Sequence, residues 1–145
     1  MWREIKTEQD ILDFMNKVCY FHDSCVKEMK YLSGAYVGEA LSMHPINDCR
    51  ILKVVIQRQF DDIPMIELEF EGLKYLHLSP TDEEYTCEIL DSTLLLKGDC
   101  IYWCDERISE ADLDSYDGTV ICSSKLRWRA VENCMGQAEF YTTTA

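Results

Sequence analysis

The sequence holds no apolar run near the ~20 residues of a membrane-spanning helix; its apolar blocks are short, such as Leu94-Leu95-Leu96. The opening stretch MWREIKTEQD carries charge but no apolar block of signal-peptide length. A soluble cytoplasmic protein without membrane contact is therefore expected. Glycine and proline are scarce, at 6 and 3 residues, and histidine occurs three times. No glycine-rich phosphate loop, dinucleotide fingerprint or metalloprotease helix is present. No cofactor is implied. Whether the chain is an enzyme stays open, with the missing catalytic motifs weighing against it.

Basic charge is also lacking where acid is dense. Residues 61 to 117 hold 17 acidic and 3 basic residues, whereas the two flanks hold 10 acidic and 11 basic. The whole chain carries a net charge of −13. A field of this sign repels nucleic acid and anionic membranes and attracts a cationic partner.

What is present is enough for one folded domain over residues 1–145. The length is that of an ordinary domain, and 47% hydrophobic with 11% aromatic residues suffices for a core. Eight cysteines lack any C-x-x-C pair. Without an export signal they read as reduced thiols used as small apolar residues.

Thr7 to Cys19 has the pattern of a helix ending near Tyr20. Thr7 is the N-cap and Asp10, three residues on, the capping-box acid. Ile11, Phe14, Met15, Val18 and His22 recur at helical spacing. Ser24 to Leu32 then has β-type residues, SGAYVG reads as a turn or bulge, and Met43 to Asp48 as a loop. From Ile51 to Phe60, and again from Ile66 to Glu71, apolar and polar residues alternate as in strands. Asp61 to Pro64 is the turn between them. Gly72 marks a bulge before LKYLHL. Ser79 to Glu84 reads as an acidic loop. Tyr85 to Lys97 and Cys100 to Cys104 form a hairpin about Gly98-Asp99, with Leu96 opposite Ile101 and Leu94 opposite Trp103. Asp105 to Gly118 is a long acidic connection with one helical turn. Thr119 to Val131 is the last strand, before the low-complexity terminal YTTTA. No strand–helix–strand alternation occurs. The expected fold is α+β: an N-terminal helix packed on a curved, mainly antiparallel sheet of about six to eight strands.

Two places carry candidate chemistry. The first is VCYFHDSC, with His22, Asp23 and Cys25 close together. A Cys–His pair oriented by Asp23 would give a small enzyme or ligand-binding protein with a pocket in the concave sheet. Against this, no oxyanion loop or G-x-S-x-G elbow accompanies it. C-x-x-H-x-x-C is no standard zinc half-site, and Cys100 and Cys104, four apart on a strand, would sit ~13 Å from each other. No metal is expected. The architectural alternative has Phe21 and His22 closing the helix's apolar face, with Asp23 and Ser24 bonding nearby backbone where helix becomes strand.

The second place is the carboxylate ladder Glu67, Glu69 and Glu71. Lys125, Arg127 and Arg129 share its two-residue period, so cross-strand pairing on a solvated face is the plainer expectation. The sharper one is a binding face for a basic protein, widened by Asp61, Asp62, Asp82, Glu83 and Glu84 in turns at the rim.

F-H-D-S after a short N-terminal helix, leading into CVKEMKYLSGAYV, resembles a loosely defined group of small uncharacterised bacterial proteins. Some of these are grouped with immunity proteins of polymorphic toxin systems. The resemblance covers about residues 20 to 32 and the general order of strands. It implies a small cytoplasmic one-domain protein without known enzymatic activity, and it identifies no partner. The leading expectation is thus an acidic, immunity-like interaction module that binds a basic protein. A pocket at His22, Asp23 and Cys25 is the alternative, and a homodimer through an exposed edge strand is a third.

Overall fold

The computed structural model describes residues 1–142; of the terminal YTTTA, Thr143 to Ala145 lie outside the described residues. Helix α1 (Glu8–Lys17) begins where the sequence marks it. The Thr7 hydroxyl accepts from the Asp10 amide at 3.1 Å, and the Asp10 carboxylate accepts from the amides of Thr7 and Lys6. This reciprocal cap satisfies donors that a helix start leaves open. Ile11, Phe14 and Met15 point inward at helical spacing.

The chain does not continue the helix to Tyr20. Val18 caps it, and Cys19–Phe21 form a short 3₁₀ turn in which Cys19, Tyr20 and Phe21 all have φ between 53 and 59°. Asp23 follows at φ 58°. Left-handed backbone costs roughly 1–2 kcal/mol per non-glycine residue, so neighbours must hold it. Phe21 is fully buried. The Tyr20 carbonyl accepts from both the amide and hydroxyl of Ser92, and the Asp23 amide and carbonyl bond to Ile89 and Gln59. His22 consequently leaves the apolar face and is exposed, contrary to its helical spacing.

The sheet follows. β1 (Arg3–Ile5) precedes the helix; β2 (Ser24–Leu32), β5 (Ile51–Arg58), β6 (Met65–His77), β7 (Thr93–Lys97), β8 (Cys100–Cys104) and β9 (Val120–Ala130) come after it. β3 (Tyr36–Val37) and β4 (Met43–His44) form a separate small hairpin within the SGAYVG and Met43–Asp48 segments. The seven-stranded sheet has the order β2-β5-β6-β9-β8-β7, with β1 also on β9, and every pairing is antiparallel. β9 is the axis: it pairs with β6 along its length, with β8 through its first half and with β1 through its second. The fold is α+β, with the helix against the sheet at β7.

The β7–β8 hairpin has the expected register, Leu94 opposite Trp103 and Leu96 opposite Ile101. Its first strand is shorter than Tyr85 to Lys97; residues 85 to 92 run as loop apart from a bridge between Ile89 and Ser24. That bridge brings the β2 end of the sheet towards the β7 end and curves the sheet around α1. Gly72 sits inside one continuous strand at φ 62°, beside a register shift between Leu73 and Tyr75, as a bulge requires.

The core lies between α1 and the concave face. Phe14 packs 4.9 Å from Trp128 and 5.7 Å from Phe21, which meets Trp103 edge-on. Leu52, Val54, Ile56, Ile66, Leu68 and Phe70 complete the floor. Each such side chain contributes about 1.5–3 kcal/mol on burial. Among the described residues no helix is long and apolar enough to cross a membrane.

Candidate functional site

The carboxylate ladder has the cross-strand partners its period implies. Glu67 lies opposite Arg129, Glu69 opposite Arg127 and Glu71 opposite Lys125. Arg129 approaches Glu67 at 2.8 Å, and Arg127 approaches Glu69 at 3.1 Å and Glu71 at 3.6 Å. The expectation of a solvated face is corrected for two of the three, Glu71 remaining partly exposed. Glu67 and Glu69 are only 2% and 3% exposed.

Their cover comes from the two ends of the chain. The Trp2 ring lies 4.4 and 4.7 Å from the Arg127 and Arg129 guanidinium carbons. The segment 136 to 141 crosses the same face. The Tyr141 hydroxyl donates to Glu67, and the amides of Phe140 and Tyr141 donate to Glu28. Lys27 and Gln57 donate to the carbonyls of Ala138 and Gly136. A register shift between Val26 and Glu28 inserts an extra residue, Lys27, into β2, and Lys27 and Glu28 form an ion pair there. Val55, between Glu28 and Glu67 in register, is completely buried under this cover, as is Met65.

Titration follows from the geometry. Burial opposes ionisation of Glu28, but the bonds from Lys27, Phe140 and Tyr141 outweigh it and hold its carboxyl below the ordinary value of 4.5. Burial and the bond to the Glu67 carboxylate push the Tyr141 phenol up.

The unpaired acids lie elsewhere. Asp61 and Asp62 are exposed in the β5–β6 turn. That turn is pinned by Arg58, a buried residue that donates to the carbonyls of Asp62 and Ile63 at 2.9 and 2.7 Å and stacks on Phe60. Asp82, Glu83 and Glu84 are exposed in the connection after β6. The two groups therefore belong to connections at opposite ends of a 13-residue strand. The β6–β7 connection is joined instead to the β8–β9 connection. Ser79 N donates to Thr119 Oγ1 at 3.0 Å, Thr93 Oγ1 bridges the carbonyl of Glu106 and the amide of Ile108, and Arg107 meets Asp91 at 3.5 Å. Residues 79–92 and 105–119 together carry eleven carboxylates and one cation, Arg107. Leu113, buried against Cys104 and Val120, anchors the second of these connections.

His22, Asp23 and Cys25 stay close in sequence without forming a pocket together. The His22 ring is 54% exposed and its Nδ1 lies 3.0 Å from Asp23. The Ser24 hydroxyl donates to the His22 carbonyl at 3.4 Å, one of the local backbone bonds expected of this motif. Cys25 pairs with Gln57 on the face turned from the helix, and burial raises its thiol pKa. Two surface clefts of about 390 and 350 Å³ flank β1, where β9 changes partner and beside α1; His22, Asp23 and Cys25 line neither. Burial pushes the thiols of Cys104 and Cys122 up to about 11, so both behave as small apolar residues. Among the described residues no group of three His, Cys, Asp or Glu side chains is placed to hold a metal ion. Comparison with protein-family models, curated proteins and solved structures finds no match.

Two outcomes follow for the covered ladder. Arg129→Met leaves the buried Glu67 carboxylate without its cation and is expected to cost about 3 kcal/mol in urea unfolding. Adding Glu67→Leu should restore most of that loss; a double variant as weak as the single would contradict the pairing. For Glu28 the folded pKa is depressed, so its contribution is present above pH 4.5 and lost as pH falls through the lower, folded value. NMR shifts of the Phe140 and Tyr141 amides should therefore report release with a midpoint below 4.5. The charge in contact with Glu28 is Lys27; Glu67 lies two strands away in register, across Val55.

Proposed function

We propose that the chain is an acidic protein-interaction module, immunity-like in action, that binds a basic partner protein. The observation that carries this reading is the joined pair of connections at residues 79–92 and 105–119, with eleven carboxylates against one cation. Their acids have few internal partners: Asp91 meets Arg107, Asp114 meets Lys97 at 4.0 Å, Asp105 accepts from Tyr116, Asp112 from Ser109, and Asp82 from the Glu84 amide. Asp82, Glu83, Glu84, Glu88, Glu106, Glu110, Asp112 and Asp117 are exposed. Such a cluster creates a negative potential that accelerates encounter with a cationic surface and is screened by salt. Glu67, Glu69 and Glu71 serve the fold in this reading, not the partner. Asp61 and Asp62 form a separate, smaller acidic site.

Affinity capture from an extract of the source cells tests the reading. The immobilised full chain should retain a basic protein at low ionic strength and release it by 0.5 M salt, where the screening length is about 4 Å. Asp82→Asn/Glu83→Gln/Glu84→Gln should weaken retention, whereas Asp61→Asn/Asp62→Asn should leave it. Retention of nothing basic, or retention insensitive to salt, would count against the proposal.

A homodimer is a second reading, favoured by one feature. The β3–β4 arm exposes Tyr36, Val37, Leu41, Met43 and Ile46, with Leu41 at 82%. It carries no Lys or Arg between Tyr31 and Cys49. Apolar clusters of this kind mark contact surfaces. Light scattering should then show a dimer that Leu41→Ser/Met43→Ser converts to monomer; a monomeric parent chain removes this reading.

A further inference from the structure

The seat under residues 136 to 141 is built from side chains rather than from a strand ladder. Glu28 takes two successive amides, Lys27 and Gln57 take two carbonyls, and Glu67 takes one tyrosine hydroxyl. Among the described residues, the last backbone-to-backbone bond from the chain end to the sheet is Val131 N to the Met65 carbonyl. Four of these five contacts read main chain and are indifferent to side-chain identity. The fifth reads a phenol. The floor between Glu28 and Glu67 is the fully buried Val55.

We propose that this face is a binding site for a bent, tyrosine-bearing segment of a partner protein, and that residues 136–141 are its built-in, displaceable occupant. Three observations carry it. The occupant itself shows which chemistry fits: two consecutive amides and two carbonyls presented by a bent chain, and a tyrosine hydroxyl that donates to Glu67. Its attachment is shallow, since residues 132 to 139 are exposed and only Phe140 and Tyr141 are half-buried. Segments with few buried apolar contacts open at low free-energy cost. The connection also has its own turn, with Asn133 at φ 62° and Gly136 at φ 108°, so lifting the strap leaves β9 intact.

With the strap lifted, Glu28 keeps Lys27 and Glu67 keeps Arg129, water replaces three donors, and Val55 and Met65 lose their cover. An incoming segment that supplies those donors and covers Val55 and Met65 again is favoured over the open face. This site is distinct from the acidic connections of the proposed function. Its partner is recognised through main chain and a phenol, not through positive charge.

The test uses the full chain with a protease site placed in the exposed connection Glu132 to Met135, folded intact and then nicked. The probe is a fluorescein-labelled synthetic peptide with the sequence of residues 136–142, followed by anisotropy. The nicked chain should bind it at least about tenfold more tightly than the un-nicked chain, where the tethered strap competes at high effective concentration. Tyr141→Phe in the peptide should weaken binding about tenfold, the scale of one hydrogen bond to a charged group. Equal binding by nicked and un-nicked chains would place the peptide elsewhere and overturn the proposal. So would absence of binding to a nicked chain that keeps its native circular dichroism. Unfolding on nicking would make the strap part of the core. A stable dimer of the un-nicked chain that exchanges straps would assign the seat to a second copy. Either result also overturns it.

Discussion

Two carboxylates, Glu67 and Glu69, sit on the sheet face turned away from the helix and are nonetheless withdrawn from water. A buried carboxylate is tolerated only when cations and hydrogen-bond donors surround it. Here the cations come from the neighbouring strand, as Arg129 and Arg127, and the remaining donor to Glu67 comes from Tyr141. That requirement organises the whole outer side. β6 and β9 must hold one register, because a slip of β6 by one residue would turn its acids into the helix-side core, away from the arginines of β9. Trp2 must lie over the guanidinium planes, so β1 is drawn onto β9. The chain end returns across β2 and β5 and supplies the tyrosine hydroxyl. A polar ladder thus does for the outer face what apolar contact does for the inner one, with a geometric specificity that a purely apolar layer lacks.

The architectural account of FHDS gains from the same logic of satisfied groups. Left-handed backbone at Cys19, Tyr20, Phe21 and Asp23 turns the chain from helix to strand within a few residues. It persists because Phe21 is anchored in the core and because Ser92, Ile89 and Gln59 collect the freed backbone groups. Histidine at position 22 is the member of this turn with the least internal demand: its ring meets Asp23 and solvent. Backbone strain is often found at reactive sites. In this turn it is offset by packing and has no cavity beside His22 or Cys25 among the two clefts that flank β1.

Local rules carried much of the fold. The Thr7–Asp10 box, the Gly98-Asp99 turn and the two-residue period of Glu67, Glu69 and Glu71 each act over a few residues, so each is readable without tertiary information. The partners Lys125, Arg127 and Arg129 were readable for the same reason, since period and sign both match. The burial of the ladder was not. It depends on Trp2 and on residues 136–141, segments with little or no regular structure to predict. Their contacts run mainly through backbone amides and carbonyls, which every sequence possesses. Glu67 and Tyr141 are 74 positions apart, and no periodicity links them. β1, at three residues, is too short to show a pattern. His22 left the helical face because the backbone changed hand at Cys19, a change that spacing alone cannot register.

The pairing on the outer face also changes the meaning of the net charge. Three of the cations that make the flanks nearly neutral, Lys125, Arg127 and Arg129, face the ladder on β6 across the strand pair. Arg127 and Arg129 are committed there to Glu69, Glu71 and Glu67. Their positive charge is balanced by these carboxylates and adds little to the net field. The connections at residues 79–92 and 105–119 hold a net −10 with little such compensation, Lys97 standing 4.0 Å from Asp114. At physiological salt, charges more than about 8 Å apart are largely screened from each other. A partner therefore meets the local cluster and not the molecular average. The sheet's internal ion pairs and its surface field are two parts of one arrangement: because β9 neutralises the acids that must be buried, the acids left over in the connections are those a cationic molecule encounters.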